Sequence, residues 1–179
     1  MQKRARIAYT SELIGAGQPG DRIPRARQSA AASRLLEALA GDEGRPLATS
    51  KSHSRSAIAV AMSTAAALPL GIDIEWITPA RSIAAIAGNF LGDTGRGIGV
   101  ADFYRGWTFY EAFFKAFQRS PSPALVLESI ERPDTPSVHL LSDGTRILQH
   151  RIADAFQLSL VWSGNDDSAP LYREGLGRR

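Results

Sequence analysis

Three short stretches hold the residues whose types and spacing could do chemistry. In Leu70-Gly71-Ile72-Asp73-Ile74-Glu75-Trp76, isoleucines alternate with carboxylates. Period-two alternation is the pattern of a half-buried strand, so Ile72 and Ile74 face a core while Asp73 and Glu75 project together from the other face. Same-face neighbours on a strand lie about 7 Å apart, near enough for two carboxylates to lean toward one hard divalent cation. The plainer alternative is an edge strand showing two acids to water. In the second stretch, Trp107, Glu111 and Lys115 fall four residues apart and form one stripe of a helix. Glu111 and Lys115 alone would make an ordinary surface pair, but a large aromatic in line with them argues against a fully solvated stripe. The third stretch is Ser52-His53-Ser54, just before a short apolar run. A lone histidine at a strand start is more often structural than functional.

The elements that must position these groups are legible to different degrees. Ala5 to Tyr9 suits a short strand, and Gly15 to Pro24, rich in Gly and Pro, a loop. Arg25 to Ala40 is helix-forming, with Ala32, Leu35, Leu36 and Leu39 at helical spacing and Gly41 as its stop. Gly44-Arg45-Pro46 marks a turn. Ala57 to Met62 is a short apolar run that reads as a buried strand, with Ser52-His53-Ser54 leading into it. Pairing of this strand with 71–75 would bring His53 and Asp73 into one neighbourhood. Arg81 to Leu91 reads as a helix. Gly92 to Gly99 is a glycine-rich connector, without the preceding strand or the Gly-Lys-Ser/Thr ending that a phosphate loop needs. From Asp102 to Gln118 the pattern is the strongest in the chain: Phe109, Ala112, Phe113, Ala116 and Phe117 mark the buried face of a helix. Beyond Pro123 the expectation is short β segments at 124–130, 137–141, 147–152 and 156–162, with Ser142-Asp143-Gly144-Thr145 as a hairpin turn. The polar tail from Gly164 is expected to fray.

Composition narrows the classes. The chain has 179 residues, enough for one ordinary domain or two small lobes sharing a core. With 44% hydrophobic and 22% charged residues it suits a soluble globular protein. No apolar run reaches membrane-spanning length, and no apolar segment follows the basic N-terminus as a secretory signal would. The absence of cysteine excludes disulfides and thiolate metal sites and fits a cytoplasmic setting. The net charge of +3 is uneven: residues 1–67 carry ten Lys/Arg against five Asp/Glu, and residues 68–179 eleven against thirteen. A basic half beside an acidic half suits a polyanion bridged to a metal. The basic residues are scattered, with no interleaved aromatic platform, which argues against nucleic-acid binding.

Taken together and in order, the three stretches resemble the 4′-phosphopantetheinyl transferase superfamily. Its signature pairs a (V/I)G(I/V)D(I/V)E strand with a W-(S/T)-x-K-E-(A/S)-x-x-K helix, here Gly71-Ile72-Asp73-Ile74-Glu75 and Trp107 to Lys115. The Ser-His-Ser segment is similar to that of the larger, two-lobed, surfactin-synthetase-activating type. The resemblance implies an α+β fold of two similar lobes related by a pseudo-twofold, each a small antiparallel sheet packed against a long helix. Residues 1–67 would form the lobe that contacts the coenzyme A nucleotide, and residues 68–179 the lobe with the metal-binding carboxylates. The implied reaction is Mg²⁺-dependent transfer of the phosphopantetheine arm of coenzyme A to a serine of an apo acyl or peptidyl carrier protein, releasing 3′,5′-ADP. By the same resemblance Asp73, Glu75 and Glu111 are the Mg²⁺ ligands, and Glu111 also the group that deprotonates the carrier serine. Lys115 would contact the diphosphate. Ser52 and His53 would touch coenzyme A phosphates, with His53 the alternative base. Arg45 stands where the family has a lysine near the nucleotide, and Arg27, with Arg25 or Arg22 as rivals, is matched to the 3′-phosphate. The protein is expected to act as a monomer, with coenzyme A between the lobes. Tyr110 departs from the motif, occupying the place of its first lysine and removing a cation beside the site. The rival readings are another Mg²⁺-dependent phosphotransfer or diphosphate-cleaving enzyme, and a non-catalytic coenzyme A or carrier-binding homologue.

Overall fold

The alternation in Leu70–Trp76 becomes strand β4, with Ile72 and Ile74 wholly buried between two sheets and Asp73 and Glu75 on the face toward a helix. The computed structural model describes residues 7–15, 18, 20–64, 68–164 and 170–173. Expectations for residues 5 and 6, for 16, 17 and 19 of the loop, and for 165–169 and 174–179 of the tail fall outside the described residues.

The first sheet contains β1 (Ile7–Leu13), β2 (Ala48–Ser54), β3 (Ala57–Ser63) and β8 (Leu171–Tyr172) in the order β2-β3-β1-β8. β8 runs parallel to β1 and the other pairs are antiparallel. Helix α1 (Arg25–Glu43) covers one face, packing Ala31, Ala32, Leu35 and Leu39 on Ala8, Ile58, Val60 and Met62. The second sheet orders β4, β7 (Phe156–Trp162), β6 (Arg146–Ile152) and β5 (Val138–Leu140), all antiparallel. On its outer face lies α3 (Val100–Phe117), flanked by α2 (Ile83–Leu91) and α4 (Pro123–Glu131), with Phe109, Ala112 and Phe113 against Ile147 and Val161. The remaining faces of the two sheets pack on each other: Tyr9, Ala57, Ala59 and Ala61 meet Ile72, Ile74, Leu158 and Leu160. The layers therefore run helix, sheet, sheet, helix.

The two lobes repeat one connectivity. In the first, β1, α1, β2 and β3 follow in sequence and the strands lie side by side as β1-β3-β2. In the second, β4, α3, β6 and β7 follow and lie as β4-β7-β6. The α+β fold of two similar lobes, each an antiparallel-rich sheet on a long helix, is what the chain forms. No helix among the described residues is long and apolar enough to cross a membrane.

Five local expectations are corrected. Segment 124–130 is helical: Ser122 Oγ accepts the Leu125 N–H and Pro123 occupies the first turn, a start signal that outweighs the β-branched residues within. Helix α1 runs through Gly41 to Glu43 and stops at Gly44, whose φ of 100° only glycine adopts without strain. His53 does not precede a strand but lies on β2, which closes a hairpin with β3 through Arg55 at φ 55°. β3 does not pair with β4; its partners are β1 and β2, and β4 pairs with β7. The tail returns as β8, where Arg173 donates its N–H to the Tyr9 carbonyl and its guanidinium to Glu43.

Candidate active site

β4 is the first strand of its sheet, so one of its edges has no strand partner. β2, the edge strand of the other sheet, lies alongside and presents Ser50, Ser52 and Ser54 at every second position. Ser50 Oγ accepts the Ile72 N–H at 3.0 Å and Ser54 Oγ accepts the Trp76 N–H at 3.1 Å. Side-chain hydroxyls thus satisfy backbone donors that an unpaired edge would leave open. Ser52 Oγ donates to Asp73 Oδ1 at 2.7 Å and Ser54 Oγ to Glu75 Oε2 at 2.9 Å. The seam between the lobes therefore fixes both carboxylates.

From the other side α3 closes on β4. A Cβ on Gly71 would stand 1.9 Å from the Ala112 carbonyl oxygen, so the helix approaches the strand as closely as only glycine permits. This approach brings the stripe Trp107, Glu111 and Lys115 over Asp73 and Glu75. Lys115 reaches across to the strand rather than back along its helix: its Nζ donates to Asp73 Oδ1 at 2.8 Å and to the Ile72 carbonyl at 3.0 Å. Trp107 Nε1 donates to Glu75 Oε1 at 3.4 Å, and its ring stacks beside those of Phe103 and Tyr110. Arg81 adds a cation 3.4 Å from Glu75 Oε2.

The electrostatics are those of crowded carboxylates. Asp73 is 4% exposed. Burial pushes its carboxyl up to about 6; the Lys115 ammonium opposes that rise and the Glu75 charge adds to it. Glu111 is also held above the ordinary range, first by burial, with Lys115 opposing and Glu75 reinforcing. Asp73 Oδ2 is buried and has no hydrogen-bond partner. An anionic oxygen in that position calls for a cation.

Among the described residues no three His, Asp or Glu side chains are already gathered as a metal cage. Mg²⁺ does not require one, since it keeps several waters and is commonly held by one or two carboxylates together with substrate phosphates. The donor set of Asp73, Glu75 and Glu111, all oxygen and including one orphaned atom, fits such an ion.

Of the residues singled out in the sequence, the structure gathers Ser52, Asp73, Glu75, Glu111 and Lys115. His53 is exposed and points the other way: its register partner Ile58 faces α1, whereas Ser52 pairs with Ala59 on the face toward the second sheet. Arg27, near the start of α1, lines a concavity of about 320 Å³ with Glu12, Ile14 and Arg34. Its neighbour Gln28 donates to the Arg55 carbonyl at 2.8 Å, so α1 begins beside the hairpin that follows His53. Arg45 is exposed before β2, at the end of that strand remote from Ser54. Tyr110 turns its hydroxyl to Ser120 Oγ at 2.8 Å. Sequence reasoning missed two groups, Ser50 and Arg81. Ser50 is signalled by the alternation Ser-Lys-Ser-His-Ser, which is as regular as that of β4. Arg81 carried no pattern.

No protein-family model matches the chain, and a search of curated proteins returns no match.

Proposed function

We propose that the protein transfers the 4′-phosphopantetheine arm of coenzyme A to a serine of an apo acyl or peptidyl carrier protein, releasing 3′,5′-ADP. The observation that carries this reading is the convergence of Asp73 and Glu75 from β4, Glu111 and Lys115 from α3 and Ser52 from β2 at the seam between the lobes. The signature strand and helix lie against each other, and this proximity of three carboxylates to a lysine is what supports the reading. Mg²⁺ held by Asp73, Glu75 and Glu111 would neutralise the diphosphate and the charge developing on the leaving group. Lys115 is the point charge for a phosphate oxygen. Glu111, with its proton affinity raised by burial, takes the proton of the carrier serine, directly or through a water. The serine oxygen then bonds to the phosphorus that bears the pantetheine arm, and the bond from that phosphorus to the ADP oxygen breaks. Arg27, and Arg45 in place of the motif's lysine, are the cations proposed for the nucleotide end.

The test is mass spectrometry of apo carrier proteins incubated with the protein, coenzyme A and Mg²⁺. The expected result is a carrier heavier by the phosphopantetheine arm, with stoichiometric 3′,5′-ADP. Folded protein that leaves a panel of acyl and peptidyl carriers unmodified would overturn the reading. Nucleotide turnover without any carrier would support a different diphosphate-cleaving activity.

A further inference from the structure

Lys115 is engaged elsewhere in the unliganded site, so the phosphate contact proposed for it requires it to leave its present partners. Its Nζ sits on Asp73 Oδ1 at 2.8 Å and on the Ile72 carbonyl at 3.0 Å, while the Lys115 side chain remains 30% exposed. Asp73, by contrast, is sealed in, with Ser52 as the other donor to Oδ1 and with Oδ2 lacking any partner. The ammonium therefore balances the Asp73 charge from the Oδ1 side while Oδ2 goes without a partner, and it can leave toward solvent whereas Asp73 cannot.

We propose that Lys115 is a resident counter-ion that a divalent metal must displace, so that metal and phosphate can bind tightly only together. The inference rests on the transferase reading for the identity of the ligands. With Lys115 on Asp73, a metal meets a carboxylate whose charge is already balanced. An incoming diphosphate offers the ammonium an alternative anion, and its departure frees Asp73 Oδ1 for the metal. Each ligand does part of the work of admitting the other, and the coupling is reciprocal. Displacement must happen at Asp73, because Glu75 is held by Ser54, Trp107 and Arg81 and has no contact with the ammonium. The flexible stem of a lysine suits the exchange, since its compact charge carries no fixed fork geometry.

The chain has only three lysines, Lys3, Lys51 and Lys115, so ¹³Cε-lysine labelling yields three assignable signals. Substitution of each lysine in turn assigns them. Mg²⁺ alone should leave the Lys115 signal nearly unmoved at moderate concentration, and coenzyme A with Mg²⁺ should shift it. In parallel, Mn²⁺ binding is measured by electron paramagnetic resonance at pH 8 without coenzyme A. Lys115→Met should bind Mn²⁺ on the order of tenfold more tightly than the wild type and show weaker coupling between metal and coenzyme A. Circular dichroism establishes that the variant is folded, and Lys115→Arg, which keeps the charge, should bind Mn²⁺ no more tightly than the wild type. Equal or weaker Mn²⁺ binding by folded Lys115→Met, with wild-type coupling intact, overturns the counter-ion role and leaves the transferase reading standing. Failure of the wild type to bind Mn²⁺ even with coenzyme A overturns both.

Discussion

At the scale of single residues, Asp73 carries the most information, because its environment works against its charge. On the proposed transferase reading, Asp73→Ala should abolish transfer to the carrier with the far-ultraviolet spectrum unchanged; retained activity would remove the metal assignment. The same residue sets a pH dependence in the metal-free protein. Its folded pKa, about 6, exceeds the model-peptide value of 3.8, so between these limits the native state binds more protons than the unfolded chain. Stability contributed by the neutral carboxyl is full below the lower value and is lost as pH rises through the upper one. Asp73→Asn does not titrate. The stability of the wild type relative to this variant should therefore fall by on the order of 3 kcal/mol between pH 3.5 and pH 7, read from denaturant melts across that range. A difference that stays flat, or slopes the other way, would mean that the Lys115 pair outweighs burial. Tyr110 tells a smaller story: its hydroxyl on Ser120 and its ring on Trp107 give it a packing role in place of the cation that the motif carries there.

At the scale of elements, the seam and the close helix approach do the positioning. Gly71→Ala would drive a methyl group into the Ala112 carbonyl, which is backbone and cannot rotate away. The expected cost is about 3 kcal/mol, measured by urea unfolding, as α3 is pushed off β4. Ser50→Ala should cost about 1–3 kcal/mol by leaving the buried Ile72 N–H without its acceptor. Legibility in the sequence follows the same division. β4 and α3 were readable because their apolar residues recur at the period of the element, and Ile72, Ile74, Phe109 and Phe113 are wholly buried as that period requires. The helix at 123–131 was not, because Leu125, Val126, Leu127 and Ile130 suit a buried strand or a helix equally. Only the Ser122-Pro123 start decides between them. The pairing partner of β4 was also hidden: β7 lies some eighty residues downstream, and alternation states which face is apolar but not which strand lies alongside. His53 shows a related limit. As part of a strand rather than a lead into one, the Ser-His-Ser string must alternate, which turns His53 to the face opposite Ser52 and Ser54.

For the whole molecule, the decisive fact is that the apolar layer between the sheets belongs to both lobes. Ile72, Ile74, Leu158 and Leu160 are wholly buried only because Ala57, Ala59, Ala61 and Tyr9 cover them. Neither sheet would keep a sealed core without the other. Equilibrium unfolding should be a single transition, with tryptophan fluorescence and far-ultraviolet circular dichroism coinciding; two separated transitions would show that the lobes are independent. The repeated strand–helix–strand–strand connectivity also explains why the site forms at the junction. Each repeat contributes an edge strand, β2 and β4, and the candidate catalytic groups gather where these edges meet.

The serine seam makes the gap between the lobes measurable. The amides of Ile72 and Trp76 are bonded to hydroxyls of the opposing lobe. Parting of the lobes would expose these two protons to solvent while the ladder between β4 and β7 remained closed. Their hydrogen–deuterium exchange would thus time the opening of the interface separately from unfolding, and a ligand that bridges the lobes should slow these two amides first.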